Sequence, residues 1–217
     1  MLKRIHQNLT REAIKWPSYF EIYERHFNKF VGKRPVVVEV GICHGGSLEM
    51  WKKYFGADAT VIGIDIYEDF VNTTIDGCEL VLGDQNDPEF WNTFFQTHPD
   101  IDVFIDDGGH QAHQQITTAE SVWSHMKEGS VFLCEDTHTS YFPDYFDRSG
   151  KYKTFIEYSK NLLEILHINY RIDSERNSEL DRLVDLYKDL NCICYYDSVV
   201  VLEKKRQLNP IGARRAE

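Results

Sequence analysis

The stretch "VVVEVGICHGGSLEMWKKYFGADATVIGIDI", residues 36–66, decides the fold. A β-branched run, 36–40, leads through a glycine-bearing turn into "SLEMWKKYF" (47–55), whose apolar positions recur at helical spacing. A second β-branched run, "TVIGIDI" (60–66), follows. Strand, helix and strand in this order make a parallel crossover unit, and the near-continuous Val and Ile predict burial on both faces.

The alternation continues on both sides. After it come "CELVLGD" (78–84), a helix opening at Asp87-Pro88, "DVFIDD" (102–107), a helix over roughly 111–126, and "SVFLCED" (130–136). Helical patterns run over 152–168 and 178–190, and "CICYY" and "SVVVLEK", separated by Asp197, predict a closing hairpin. Ahead of it, residues 3–31 carry helical spacing broken at Trp16-Pro17, giving a short helix and a second one over "SYFEIYERHFNKF" with Ser18 as N-cap. The expected fold is α/β: a Rossmann-like, mostly parallel seven-stranded sheet with helices on both faces and a C-terminal antiparallel hairpin. Residues 1–34 are expected as a helical lid, 35–206 as one cofactor-binding domain and 207–217 as a tail.

Of 217 residues, 42% are hydrophobic and 13% aromatic, the make-up of a folded globule. The net charge of −11 would repel a nucleic-acid backbone, so DNA and RNA are not expected partners. Five cysteines, mostly inside apolar runs and with Cys192 and Cys194 spaced C-x-C, suit core positions in a reducing, cytoplasmic compartment better than a disulfide framework. No stretch has transmembrane length, so no membrane partner is expected.

Ligands of an open parallel sheet lie at the carboxyl ends of its strands, and polar groups fall at those ends here. Gly41, Gly45 and Gly46 let backbone approach a ligand, and Ser47 opens the following helix. The spacing is G-x-x-x-G-G, not the G-x-G-x-x-G of a pyrophosphate site, which disfavours a nicotinamide oxidoreductase. A ligand with an amine, a carboxylate and a ribose, such as S-adenosylmethionine, fits better. Asp65 would accept from its ribose hydroxyls, Glu39 would meet its amino group, and Asp84 and Gln85 would read its adenine edge.

"FIDDGGH" (104–110) sets Asp106-Asp107 at one strand tip, and Glu135-Asp136 ends the neighbouring strand. Asp and Gly at a tip can serve simply to turn the chain. Two acidic pairs on adjacent tips, however, repel each other unless a cation intervenes, and all-oxygen ligation favours Mg²⁺, Mn²⁺ or Ca²⁺ over zinc. Side chains alternate faces, so only some of the four need reach the ion. A metal-dependent hydrolase would share the acids but not the cofactor-type strand ends.

Together "KWPSYFEIYERHF", "EVGICHGGSLEMWKKYFGADATVIGIDI", "GDQNDPEF", "FIDDGGHQAHQQ" and "EDTHTSYF" resemble the class I S-adenosylmethionine-dependent sugar O-methyltransferases of antibiotic biosynthesis, the mycinamicin and rhamnosyl-tetracenomycin group. The resemblance spans about residues 16–145. It implies methyl transfer, dependent on Mg²⁺ or Mn²⁺, to a sugar hydroxyl of a small glycosylated acceptor. By motif position Asp107, Glu135 and Asp136 would hold the metal, His110 would be the base, and Asp106 would lie on the cofactor side. Gly109 stands where the family usually has Ser, and nothing beyond about 147 matches a family motif. Catechol-type methyltransferases, which usually end this strand in Asp-Asn, rank lower, and a non-catalytic relative is the remaining alternative.

The chemistry of the residues agrees with that activity. A sugar hydroxyl is a weak nucleophile near neutral pH, so a dication and a nearby base are both useful. His110, three residues past Asp107, can sit near a metal without ligating it, whereas His44, His113 and His138 are expected to be ordinary surface or core residues. Tyr141, Phe142 and Tyr145 could cover a glycosyl acceptor, with Trp16 and Tyr19 closing from above. A homo-oligomer is the expected assembly.

Overall fold

The computed structural model describes residues 1–170 and 178–205; the expected tail falls outside them. Strands β1 (Val36–Val40), β2 (Thr60–Asp65), β3 (Cys78–Leu82), β4 (Ile101–Asp106), β5 (Met126–Cys134), β6 (Leu190–Tyr196) and β7 (Val199–Lys204) form one sheet among the described residues, in the order β3-β2-β1-β4-β5-β7-β6. β3-β2-β1-β4-β5 pair in parallel, while β7 lies antiparallel between β5 and β6. Chain order reverses direction between β1 and β4, which opens a crevice at their carboxyl ends.

Strand pleating assigns the core. Val38, Ile62, Phe104, Phe132 and Leu202 pack on one face with α5 (Pro88–Thr97), α6 (Ala112–Trp123), α7 (Phe155–Asn161) and α9 (Ser178–Leu186). Val37, Val61, Val103, Val131 and Val201 pack on the other with α1 (Leu2–His6), α2 (Tyr19–Phe27) and α3 (Gly46–Phe55). The short α4 (Glu68–Val71) follows β2, and α8 (Leu163–Leu166) follows α7. Tyr19, Tyr23 and Phe27 of α2 are at most 1% exposed, so this helix is built into the core as firmly as any part of the sheet. No helix among the described residues is long and apolar enough to cross a membrane.

Several boundaries differ from the sequence reading. The N-terminal pattern yields α-helix only at 2–6 and 19–27, followed by a 3₁₀ turn at Asn28–Phe30; residues 7–18 form a non-helical arm. Its backbone is held by tertiary bonds instead: Thr10 and Arg11 donate their amides to the Glu49 carboxylate, and Gly46 donates to the Glu12 carbonyl. Ser18 stands at the N-cap of α2 without a side-chain cap bond. β5 begins at Met126, four residues earlier than expected, because Met126 pairs with Ile101 across a register shift. The closing hairpin turns on two residues, Asp197 and Ser198, the latter at φ 64°.

Candidate active site

A cavity of about 510 Å³ opens at the β1/β4 switch point, a size that suits a nucleoside-bearing cofactor. Its walls come from the loops after β1, β2, β3, β4 and β5 and from arm residues Glu12–Lys15. Gly41, at φ 95°, sits where an added Cβ would lie 2.1 Å from the Asp107 carbonyl oxygen, so only glycine lets the β1 and β4 loops meet there. Gly41, Ser47, Asp65, Asp84 and Gln85 line the cavity, with Ile66 and Tyr67 beside Asp65.

Three residues expected on the cofactor side do not line the cavity. Gly45 is the left-handed N-cap of α3, and its Cα faces Ile75. Glu39 is fully buried behind the wall, accepting a 2.6 Å bond from the Ser47 hydroxyl. Asp106 is fully buried on the α5/α6 side, because strand parity aligns it with Phe104 rather than with Ile105. There it accepts from the Gln85 amide at 3.1 Å, and its Oδ2 has no partner. Gln85 also donates to Thr118 and accepts from the Gly109 amide at 2.7 Å, so its side chain braces two loops and leaves no free edge for a base.

Asp65 has a double part. Its Oδ2 accepts from the Ile42 amide at 2.8 Å and the Cys43 amide at 3.4 Å, and its Oδ1 accepts from Tyr67 at 3.0 Å. The carboxylate therefore shapes both loops that would embrace a ribose while still lining the cavity.

The same parity divides the acidic tips. Glu39 and Glu135 turn toward the α2/α3 face, under the arm, and Asp107 lies between that face and the cavity. Into this group the arm inserts Lys15. Its ammonium lies 2.6 Å from Asp107, 3.0 and 3.1 Å from the two Glu135 oxygens and 3.3 Å from Glu39, with the side chain 2% exposed. Burial pushes the lysine pKa down, but the charges of Asp107 and Glu135 outweigh it and hold it well above its ordinary value. Burial raises the Glu135 carboxyl well above the usual range, with Asp107 adding repulsion and Lys15 opposing. Tyr23 donates a 2.6 Å bond to the same carboxylate.

Asp107, Glu135 and Asp136 are consequently not gathered into one cluster. Two threesomes bring a ligating atom from each member within 4.8 Å of the others: Glu39, Asp107 and Glu135 inside, and Asp107, His110 and Asp136 outside. All members of the outer group line the cavity. His110 Nε2 is 3.6 Å from Asp136 Oδ2, and Asp136 also accepts a 2.7 Å bond from Tyr19. Both His110 (φ 58°) and Asp136 (φ 52°) are held in the left-handed region, strain of a kind that gathers at functional sites. His110 Nδ1 is buried without a partner, which leaves Nε2 as the nitrogen facing the carboxylate. The Asp107 and Asp136 carboxylates are oxygen donors of the kind a hard dication such as Mg²⁺ or Mn²⁺ takes, with His110 Nε2 beside them.

Gly109 has a local reason. A Cβ there would lie 2.2 Å from Gln114 Oε1, which accepts from the Gln111 amide in the capping box of α6.

Tyr19, at 1% exposure, is an internal brace of Asp136 rather than an exposed cover. Tyr141 and Phe142 are 71% and 47% exposed, outside the cavity wall. Trp16 stacks on His138 at 5.1 Å, and Phe142 meets the same imidazole edge-on at 5.4 Å, making an aromatic strip beside Asp136. His138 is thus part of the rim, its Nδ1 bonded to Ser198 Oγ at 2.6 Å.

No protein-family model matches the chain. It is 32% identical over 185 residues, 79% of its length, to the L-olivosyl-oleandolide 3-O-methyltransferase of Streptomyces antibioticus. It is also 32% identical, over 73% of its length, to the 8-demethyl-8-alpha-L-rhamnosyl tetracenomycin-C 2'-O-methyltransferase of Streptomyces olivaceus. The alignments take in 47% and 44% of those proteins, so the chain spans about half the length of the relatives it matches. Among solved structures, the MycE methyltransferase of the mycinamycin biosynthetic pathway, in complex with Mg and SAH, superposes with a TM-score of 0.80 at 25% identity, over 94% of this chain and 54% of that one. With this sheet order and these relatives, the chain belongs to the family of antibiotic-sugar O-methyltransferases of class I fold.

Proposed function

We propose that the protein is an S-adenosylmethionine-dependent O-methyltransferase acting on a sugar hydroxyl of a small glycosylated natural product, with a divalent metal held at the cavity mouth. The observation that carries this reading is the continuity of the cavity, from the Gly41 and Asp65 loops to Asp107, His110 and Asp136. Cofactor and acceptor would meet at that end.

Asp65 would hold the ribose from the floor it already braces, and the backbone around Asp84 and Gln85 would border the adenine. Asp107 and Asp136 would hold the metal with His110 near it, and a bound dication would lower the pKa of the acceptor hydroxyl. Bound S-adenosylmethionine would supply the methyl group to the acceptor oxygen and leave as S-adenosylhomocysteine. The hydroxyl proton passes to His110 Nε2, which must be neutral to accept it. Tyr19 keeps the Asp136 carboxylate turned toward that nitrogen. The strip of Trp16, His138 and Phe142 offers flat faces on which a sugar ring can stack. MycE, whose complex holds Mg and SAH, supports both cofactor assignments.

The test is methyl transfer from labelled S-adenosylmethionine to a panel of deoxysugar-bearing macrolide and aromatic polyketide glycosides. Transfer should stop in EDTA and return with Mg²⁺. Turnover unchanged in excess chelator would remove the metal from the mechanism, and the absence of S-adenosylhomocysteine binding would remove the cofactor.

A further inference from the structure

Gln85 follows β3, yet its side chain is spent on residues that flank His110. Its Oε1 accepts from the Gly109 amide at 2.7 Å. Its Nε2 donates to Asp106 Oδ1 at 3.1 Å and to Thr118 Oγ1, on α6, at 3.0 Å. Asp106 Oδ1 also takes the Gly108 amide, at 3.3 Å, so two successive amides of the turn are clamped by two side chains that touch each other. Gln85 is itself fixed: it is 4% exposed, and the Trp91 indole donates to its carbonyl at 2.9 Å. A Cβ on Gly108 would lie 2.0 Å from Gln85 Oε1, which accounts for the glycine at this position.

The imidazole needs such a clamp. A histidine that moves a proton is ordinarily oriented by a hydrogen bond to its other ring nitrogen. His110 Nδ1 is buried without a partner among the described residues, and Nε2 stands 3.6 Å from Asp136, beyond hydrogen-bond length. The ring is therefore aimed by its backbone, held at φ 58°. That backbone is fixed before the histidine by the clamped amides, and at the histidine by Thr139, which donates to its carbonyl at 3.2 Å.

We infer that Gln85 is a positioning residue for His110: it locks the 106–110 turn so that the imidazole faces Asp136 and the acceptor end of the cavity. This rests on the reading of His110 as the base, and deepens it by naming what aims the ring. Gln85 borders the cavity, but both of its donors are committed to Asp106 and Thr118. Its loss should therefore reach turnover through His110 and not through cofactor affinity.

The test compares Gln85→Met, similar in length but without the amide, with Thr118→Val, which removes one Gln85 contact and leaves the one to the turn. Both should lose stability. Only Gln85→Met should slow transfer, by about 10–100-fold, the cost of a misplaced reacting group. Its affinity for S-adenosylhomocysteine should stay within about threefold of native. In spectra of histidine-labelled protein the His110 resonances, identified by their loss in His110→Asn, should shift in Gln85→Met and stay in place in Thr118→Val. Gln85→Met/His110→Asn should be no more than about twofold slower than His110→Asn alone, because two residues that act as one unit are not additive. Should Gln85→Met not fold, Gly108→Ala, whose methyl displaces Gln85 Oε1 from the side of the turn, carries the same comparisons.

Unshifted His110 resonances in Gln85→Met would overturn the inference, as would native turnover. So would losses that multiply in the double variant, which would put the action of Gln85 elsewhere, or a tenfold fall in S-adenosylhomocysteine affinity, which would make it a cofactor ligand. If His110→Asn turns over normally while Gln85→Met shifts the His110 resonances, the positioning stands and the base reading falls. If the native chain transfers no methyl group, the same resonances decide the positioning and the proposed activity falls alone.

Discussion

Replacing Asp65 by alanine should damage the fold and the cofactor site together, in proportions that the hydrogen bonds set. The carboxylate is 7% exposed and accepts from Ile42, Cys43 and Tyr67. Those three amides are not equal. Ile42 is 2% exposed, so losing its 2.8 Å charge-assisted bond leaves a donor that water cannot reach. The Cys43 contact is 3.4 Å and weak, and Tyr67 is 65% exposed, where water can replace the lost oxygen. The Ile42 term should dominate, giving a loss of about 2–4 kcal/mol of stability in Asp65→Ala. Asp65→Asn keeps one oxygen that can face Ile42 and should lose about half as much. Affinity for S-adenosylhomocysteine should fall about tenfold or more in both, since neither keeps the charge near the ribose. Urea unfolding gives the first quantity and calorimetry at a temperature where both variants are folded gives the second. Native stability in Asp65→Ala would refute the bracing of the loops, and native affinity would refute the ribose assignment.

Two other perturbations separate the acceptor side from the arm. His110→Asn, chosen because asparagine tolerates the left-handed backbone at this position, should leave S-adenosylhomocysteine binding intact and slow transfer by about 10²–10⁴-fold; near-normal turnover would take the base role from His110. The Glu49 carboxyl is pushed up by burial, but bonds from Lys53, Thr10 and Arg11 outweigh this and hold it below its ordinary value. Because the folded pKa is the lower one, the anchor's stabilisation is complete above the ordinary glutamate pKa of about 4.3 and is lost as pH falls through the lower folded one. Amide protection at Thr10 and Arg11, corrected for intrinsic exchange, should decline over that range in the native protein and be low throughout in Glu49→Gln. Flat protection in the native chain would show that the arm is held by other contacts.

How much of this was legible in the sequence follows from which interactions are local. β1, β2 and β4 announce themselves because strands buried on both faces run rich in β-branched residues, and the hairpin of β6 and β7 because two such runs meet at a short turn. Period-two alternation also warned that the acidic tips would not all point one way, and parity does send Asp106 to one face and Glu135 to the other. The arm was misread because residues 7–18 have helical spacing, while their bonds go to Glu49, Gly46 and the acidic cluster, partners 24 or more positions away. No local pattern encodes those.

Lys15 is the most instructive omission. A lysine beside Trp16-Pro17 reads as solvated, since lysines are almost never fully buried without partners. The signal lay elsewhere, in the charge count of the strand tips. Glu39, Asp106, Asp107, Glu135 and Asp136 converge on one edge of the sheet, and one dication leaves that edge strongly negative. Five carboxylates ask for more than two positive charges, unless some of them stay protonated. The structure meets the demand in both ways: Lys15 supplies one charge, while burial raises Glu39, Asp106 and Glu135 toward their neutral forms. Asp107, shared by the inner and outer groups, is the one carboxylate that touches the lysine and also lines the cavity. Any movement of the arm must therefore alter the field at the cavity mouth through Asp107, which makes the arm part of the active site despite its distance in sequence from the strand tips.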